Sequence, residues 1–389
     1  MASIVIAIAS LSGGGAERVA VRLAERWSDD GHQVCLITLS SGSDDIYRPS
    51  QRVERIALDV MAVSRSPADG LINGIRRVRA LRRVLKARRP DIVLAMMTAT
   101  NVLVSLAHIG IDGALILAER NYPPRATRSR VWSALRWGVY YVADVVLALE
   151  GTGRLWLERH TLARRVESIP NAVVWPIPRL EPSLDPSETF PETSLRRMLA
   201  VGRLVPQKGF DRLLRAFAAQ MEEADARGER WHLAILGDGP ERVPLERLVD
   251  DLGLLGRVTL TGRAGNVGDW YDAADLYVLS SRHEGFPGAL LEAMASGCAV
   301  LAVDCRTGPG AIIENGVDGA LVDDDDEALV RGLALMMRDE ALRRKVAAAA
   351  PRVKERYGEQ EVMALWSALF ASMGVSPVSR RLDRREEGR

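Results

Sequence analysis

Twice along this chain, short apolar runs alternate with amphipathic helical patterns, and that alternation most restricts what the chain can fold into. In the first half the runs are Ile4–Ala9, His32–Leu39, Asp91–Met96, Ala114–Ala118 and Asp144–Leu149. They are short and apolar throughout, as expected of parallel strands covered on both faces. The second half restarts at Met198–Leu204 and continues through HLAILGDGPE, RVTLTGR, ADLYVLSS and CAVLAVDC. Strands alternating with helices predict an α/β fold with a parallel, doubly wound sheet in each half, and ligands at the strand carboxyl ends. A chain of 389 residues is also too long for one average core.

The expected organisation is a first Rossmann-like domain over residues 1–175 and a linker over 176–194. A second Rossmann-like domain follows over 195–360, then a helical segment over 361–375 and a tail over 376–389. The linker is marked by Pro176, Pro178, Pro182, Pro186 and Pro191 among Ser, Glu and Thr. The tail, ending SRRLDRREEGR, has no apolar anchor and is expected to be disordered.

A formal net charge of +1 argues against a dedicated nucleic-acid binder. The three cysteines, Cys35, Cys298 and Cys305, form neither a CxxC pair nor a disulfide framework, so a cytoplasmic location is expected. The opening MASIVIAIASLSGGG lacks a basic leader and reads as a core strand. No run of about twenty apolar residues is present to span a membrane.

The stretch richest in chemistry is SSRHEGFPGALLEAMASG, Ser280 to Gly297. It begins where an apolar run ends, and Pro287 stands where a helix can start. The N–H groups of Gly288, Ala289 and Leu290 would then point out of the helix start, a ready site for a phosphate. Glu284 precedes that start and Glu292 lies about two turns into the helix. An anion site flanked by carboxylates suits a ligand with both phosphate and hydroxyl groups, a sugar nucleotide.

Other strand-to-helix turns carry weaker signals. Gly13-Gly14-Gly15 is neither the dinucleotide fingerprint nor a P-loop, though it allows close backbone approach at a helix start. Arg203 and Lys208 bracket the first turn of the second half, where two cations could hold a diphosphate. Glu119, Arg120 and Asn121 end the fourth strand of the first half. His108 falls in the preceding helix and reads as structural, as does Asp275. Asp323 to Asp326 with Glu327 lack ordered ligand spacing and read as a solvated loop rather than a metal site.

Glu284 and Glu292 with seven residues between, set in EGFPGALLEAMASG, resemble the E-x7-E signature of retaining glycosyltransferases of the GT4 type. That resemblance implies the GT-B fold, two Rossmann-like domains facing across a cleft. It covers nearly the whole chain and is densest in the second half. VGRLVPQKGFD is similar to the segment whose Arg203 and Lys208 would bind the donor pyrophosphate; with Glu284 these are the implied catalytic residues. The implied donor contacts are Gly14, Gly15, Asn171 in an Ile-Pro-Asn turn, Arg263 near a uracil, Gly285, Phe286, Pro287, Gly288, Ala289, Leu290 and Glu292. Glu17 and Arg120 are expected on the acceptor side.

The resemblance implies transfer of a hexosyl or N-acetylhexosaminyl group from a nucleoside diphosphate sugar, UDP-linked, to a hydroxyl of a glycan or lipid-linked glycan. The leaving phosphate takes the acceptor proton, domain closure excludes water, and cationic side chains stand in for a metal or other cofactor. The last helix, Glu361 to Met373, is expected to return to the first domain. Two departures stand out. The family's usual histidine is replaced by Ala118-Glu119-Arg120-Asn121, a variant resembling enzymes that build lipid-linked or capsular glycans. Ala311 occupies the usual glutamate position of the Gly-Pro-x-Glu-Ile-Ile segment. A sugar-nucleotide epimerase of the same fold, or a catalytically silent sugar-nucleotide binder, is the alternative.

Two basic stretches remain. Arg76, Arg77, Arg79, Arg82, Arg83, Lys86, Arg88 and Arg89 share one helical pattern with Val78, Leu81, Val84 and Leu85. Arg125, Arg128, Arg130 and Arg136 accompany Trp132, Trp137, Tyr140 and Tyr141. Either these are solvated helices packed on the sheet, or they meet an anionic membrane surface, at the inner face of a membrane. No nucleic-acid-binding motif accompanies the charge.

Overall fold

The computed structural model of the protein describes residues 1–62, 65–122, 124, 130–190 and 196–375. Arg125 and Arg128 of the second basic stretch, Pro191 of the linker and the 376–389 tail lie outside them. The chain divides into two compact units, Met1–Ile169 with Met363–Arg389, and Pro170–Val362.

The first unit is built on strands β1 (Ser3–Ile8), β2 (Gln33–Thr38), β3 (Glu54–Ala57), β4 (Ile92–Met96), β5 (Ala114–Ala118), β6 (Val145–Ala148) and β7 (Val166–Ser168). All pair in parallel in the order β3-β2-β1-β4-β5-β6-β7. Helices α1 (Gly15–Asp29), α2 (Pro67–Arg88) and α3 (Thr98–His108) make the first crossovers. Val5, Ala7, Val93, Ala95, Leu115 and Leu117 on the strands meet Leu81, Leu85, Val102 and Ala107 on α2 and α3 in one apolar cluster. The burial of β4 at every position is what its unbroken apolar sequence requires, because helices cover both faces of the sheet.

The second unit repeats the plan with β8 (Arg196–Val201), β9 (Trp231–Leu236), β10 (Val258–Gly262), β11 (Leu276–Leu279), β12 (Val300–Val303) and β13 (Ala320–Val322). These too are all parallel, in the order β10-β9-β8-β11-β12-β13. Met198, Ala200, Leu233, Ile235, Leu301 and Val303 pack against Leu213, Phe217, Leu329 and Leu333 of the covering helices. The last long helix, Glu359–Ser372, carries Trp366, whose ring meets Trp27 of α1 edge-on at 5.3 Å, with Phe370 at 5.1 Å from the same ring.

The strand order reverses at one place in each sheet, between β1 and β4 and between β8 and β11. Loops leaving the carboxyl ends of two neighbouring central strands run to opposite sides there, which opens a crevice in this topology. In the second sheet those are the loops after Val201 and after Leu279, which hold Lys208 and Glu284.

Three short edge strands, β3, β7 and β13, join the runs read from sequence. β3 has the sequence ERIA and no fully buried residue, so no apolar run announces it.

Candidate active site

In the second unit two loops are laced together at the switch point. The first leaves β8 at Gly202 and passes through a short 3-10 turn, Pro206–Lys208. The second leaves β11 at Ser280. Gly209 closes the first loop at φ +64°, and a Cβ there would lie 2.2 Å from the Ser280 carbonyl oxygen, so only glycine allows the approach. Arg212, buried, donates to the Ser280 and Ser281 carbonyl oxygens at 2.6 Å each. Gln207 Nε2 donates to the His283 carbonyl at 2.8 Å, and the Arg282 N–H to the Gln207 carbonyl at 2.8 Å. Arg282 also forks onto both carboxylate oxygens of Asp211, holding that carboxyl below its ordinary range.

Against this rigid frame Lys208 Nζ stands 2.6 Å from Glu284 Oε1, and Ser281 Oγ donates to the same oxygen at 2.6 Å. The Glu284 side chain is 8% exposed and that of Lys208 20%. Oε1 thus has two donors, while Oε2 makes no hydrogen bond among the described residues. Thr307 Oγ1 donates to the Glu284 carbonyl and fixes the backbone from the far side.

After Glu284 the chain is buried through Gly285, Phe286 and Pro287. Pro287 is the N-cap residue of the helix Gly288–Ala295, one position ahead of the place its sequence suggested, and no side chain caps that helix. Its first N–H groups, of Gly288, Ala289 and Leu290, are therefore open to an anion. Leu290 can contribute only that N–H, because its side chain is wholly buried in the core. Asn171 Nδ2 donates to the Phe286 carbonyl at 2.9 Å, and Tyr357 meets the Phe286 ring at 5.1 Å, so both brace this turn.

Glu292 is buried, and the Tyr271 hydroxyl donates to its Oε2 at 3.4 Å. Burial raises the Tyr277 hydroxyl well above its ordinary value, and the negative charges of Glu284 and Glu292 add to the rise. The two carboxylates of the E-x7-E spacing therefore act on one buried phenol. Arg203 is exposed at the carboxyl end of β8, and its guanidinium makes no hydrogen bond or ion pair among the described residues. Arg263, also exposed, follows β10, two strands away. Asp324 pairs with Arg212 at 2.9 Å and Asp325 caps the following helix through the Ala328 N–H, so these acids of the Asp323–Glu327 run have structural work.

In the first unit the glycine loop is differently disposed. Glu17 Oε2 accepts from the Gly13 and Gly14 N–H groups at 2.7 and 2.8 Å, and Oε1 accepts from Ser10 Oγ. Gly14 is the N-cap of α1 and Glu17 its third helical residue, so the Glu17 carboxylate reaches back to cap the start of its own helix. Gly15 follows as the first helical residue. At the end of β5, Glu119 turns inward: Tyr140 Oη donates to Oε1, Thr98 Oγ1 donates to Oε2 at 2.8 Å, and Arg136 lies 4.0 Å away. Arg120 beside it is also buried, which lowers its pKa to about 10. Arg136 and Tyr140, expected either on a solvated helix or at an anionic membrane surface, are buried in this network instead, packed against the inward-turned Glu119. Met97, at the end of β4, holds φ +77°, an uncommon value for a side-chain-bearing residue.

Residues 185–353 match the family model of glycosyl transferases group 1, and residues 13–174 that of glycosyltransferase family 4. The chain belongs to the GT4-type glycosyltransferases. This glycosyltransferase is 30% identical over 311 residues to an exopolysaccharide phosphotransferase of Streptomyces coelicolor, a match spanning 78% of this chain but only 30% of that protein. It is 28% identical over 374 residues to the Campylobacter jejuni GalNAc-α-(1→4)-GalNAc-α-(1→3)-diNAcBac-PP-undecaprenol α-1,4-N-acetyl-D-galactosaminyltransferase, covering 96% of this chain and 99% of the relative. Among solved structures, HepE of Anabaena in complex with UDP and glucose superposes with a TM-score of 0.77 at 18% identity, over 96% of this chain and all of that one. The fold is GT-B.

Sequence reasoning about this glycosyltransferase missed Ser281, Arg212 and Thr307. Ser281 was within reach, since a hydroxyl three residues before a glutamate can reach its carboxylate. Arg212 and Thr307 lie far in sequence from the loops they hold, and only the folded chain brings them there.

Proposed function

We propose that this protein is a retaining glycosyltransferase that moves a hexosyl or N-acetylhexosaminyl group from a UDP-linked sugar to a hydroxyl of a glycan or lipid-linked glycan. The observation that carries the reading is the Lys208–Glu284 pair at the switch point of the second sheet, followed in the chain by an uncapped helix start. The printed activity of the Campylobacter relative and the UDP and glucose bound to HepE support the acceptor and donor classes.

In this reading the bond between the sugar's anomeric carbon and the β-phosphate oxygen breaks. A bond from the same carbon to the acceptor oxygen forms on the same face, and the acceptor proton passes to the leaving phosphate. Arg203, Lys208 and the N–H groups of Gly288, Ala289 and Leu290 stabilise the charge that develops on the diphosphate. Preorganised donors of this kind contribute on the order of 3 kcal/mol each. Glu284 presents Oε2 to a sugar hydroxyl, and Glu292 accepts from the ribose. Gly285, Phe286 and Pro287 shape the turn that holds them, and Arg263 lies towards the base. Cationic side chains take the part a metal would play.

In the first unit, Arg120 serves the acceptor. Gly14 and Gly15 offer a donor phosphate less than their sequence suggested, because Glu17 already accepts from the Gly14 N–H. Glu17 is better read as a cap than as an acceptor contact.

A thermal-shift screen of UDP-, GDP- and ADP-sugars, followed by NMR of the product made from the best donor, tests the reading. The expected result is a UDP-sugar hit and an anomeric configuration in the product equal to that of the donor. An inverted product, or a sugar nucleotide epimerised without any acceptor, overturns it.

A further inference from the structure

The basic helix α2 sorts its arginines into two sets. Arg77 donates to the Val60 and Ala62 carbonyls, Arg82 to those of Ala107 and Ile109, and Arg88 pairs with Glu54. These three fasten the helix to its own unit. Arg76, Arg79 and Arg83 are exposed, and their guanidiniums make no hydrogen bond or ion pair among the described residues. They recur at helical spacing and line one groove of about 630 Å³ beside the edge strand β3.

The groove is apolar beneath those guanidiniums. Leu58 and Val60, just past β3, form one wall, and Ile72, Ile75 and Val84 of α2 form the other. Ile72 and Ile75 are 64% and 43% exposed, and Leu71 beside them 67%. No acidic residue occurs from Gly70 to Pro90. Three uncompensated cations over hydrocarbon, with more apolar surface standing free at one end, match a ligand that carries a phosphate on an apolar chain. A free phosphate leaves the floor unused, and nucleic acid finds no aromatic side chain in the groove to stack on.

We propose that the α2–β3 groove binds the phosphate end of an anionic membrane lipid. Arg76, Arg79 and Arg83 hold the phosphate while Leu71, Ile72 and Ile75 enter the acyl boundary. The groove belongs to the first unit alone, so the proposal stands apart from the donor site of the second.

Co-sedimentation of the full chain with vesicles tests it. Wild type is expected to bind vesicles containing phosphatidylglycerol and not phosphatidylcholine alone, with binding that weakens as salt rises. Each arginine near an anionic surface strengthens partitioning about fivefold, so the triple variant Arg76→Ser, Arg79→Ser, Arg83→Ser should lose about a hundredfold. Its three positions are exposed, so its melting temperature and UDP binding should match wild type. Ile72→Ser with Ile75→Ser keeps the charge and should lose the binding that survives in high salt. Inorganic phosphate at millimolar concentration should not compete. The proposal is overturned if the triple variant sediments like wild type, if wild type ignores both vesicles, or if inorganic phosphate or an RNA oligonucleotide displaces it from lipid.

Discussion

Lys208 and Glu284 are 76 residues apart in the chain and 2.6 Å apart in the fold. They are brought together by loops that leave two neighbouring parallel strands, β8 and β11, at the point where the strand order reverses. One oxygen of Glu284 takes both Lys208 and Ser281, and the other makes no hydrogen bond among the described residues.

Glu284→Gln keeps an oxygen that can accept from Lys208 and Ser281 and removes the charge that the proposed function assigns to holding a sugar hydroxyl. Turnover should fall on the order of 10²-fold, with the melting temperature within a few degrees of wild type. Steady-state transfer rates and a thermal melt measure both, and unchanged turnover removes the assigned role.

Ser281→Ala leaves Glu284 held by Lys208 alone. Losing one hydrogen bond to a charged group should lower kcat roughly tenfold while the donor KM stays within about twofold. A purely structural serine would instead lower the melting temperature without that split between kcat and KM.

Gly237 lies at φ +139°, and a Cβ there would come within 1.9 Å of the Gly202 carbonyl oxygen. Gly237→Ala must therefore push the Gly202–Arg203 turn off its place. A loss of at least about 2 kcal/mol in denaturant unfolding is expected, with UDP binding weakened because Arg203 moves. A variant as stable as wild type would mean that this turn yields without cost.

Both sheets could be read from the apolar runs, because covered parallel strands must be apolar along their whole length. The edge strands could not: Glu54–Ala57 and Ala320–Val322 are short and only partly buried, so they carry little periodic signal. At the candidate site, Lys208 and Glu284 were singled out through segments of fixed spacing, and the fold brings the two together. The places of Glu17 and Glu119 were not legible, because a carboxylate at the end of a strand or the start of a helix reads the same whether it faces a ligand, caps its own helix or turns into the core. The neighbours that decide it, Ser10 for Glu17 and Thr98 and Tyr140 for Glu119, form no recognisable spacing in the chain.

Burial raises the Glu119 carboxyl above its ordinary 4.5, against the opposing pull of Tyr140, Arg136 and Thr98. Folding therefore favours its protonated form. The stability this contributes is full below the ordinary value and is lost as pH rises through the raised, folded-state value. Urea unfolding of wild type and Glu119→Gln at several pH values should show wild type losing stability relative to the variant as pH rises from about 4.5. Parallel pH profiles would mean that the carboxyl titrates alike in both states.

The central claim is that Lys208, Arg203 and the helix start at Gly288 bind a nucleoside diphosphate. Calorimetric titration of UDP into the full chain and into Lys208→Ala tests it most directly. Wild type should bind with a measurable heat and Lys208→Ala at least about tenfold more weakly; equal affinity in the two proteins, or no binding to wild type, would contradict it.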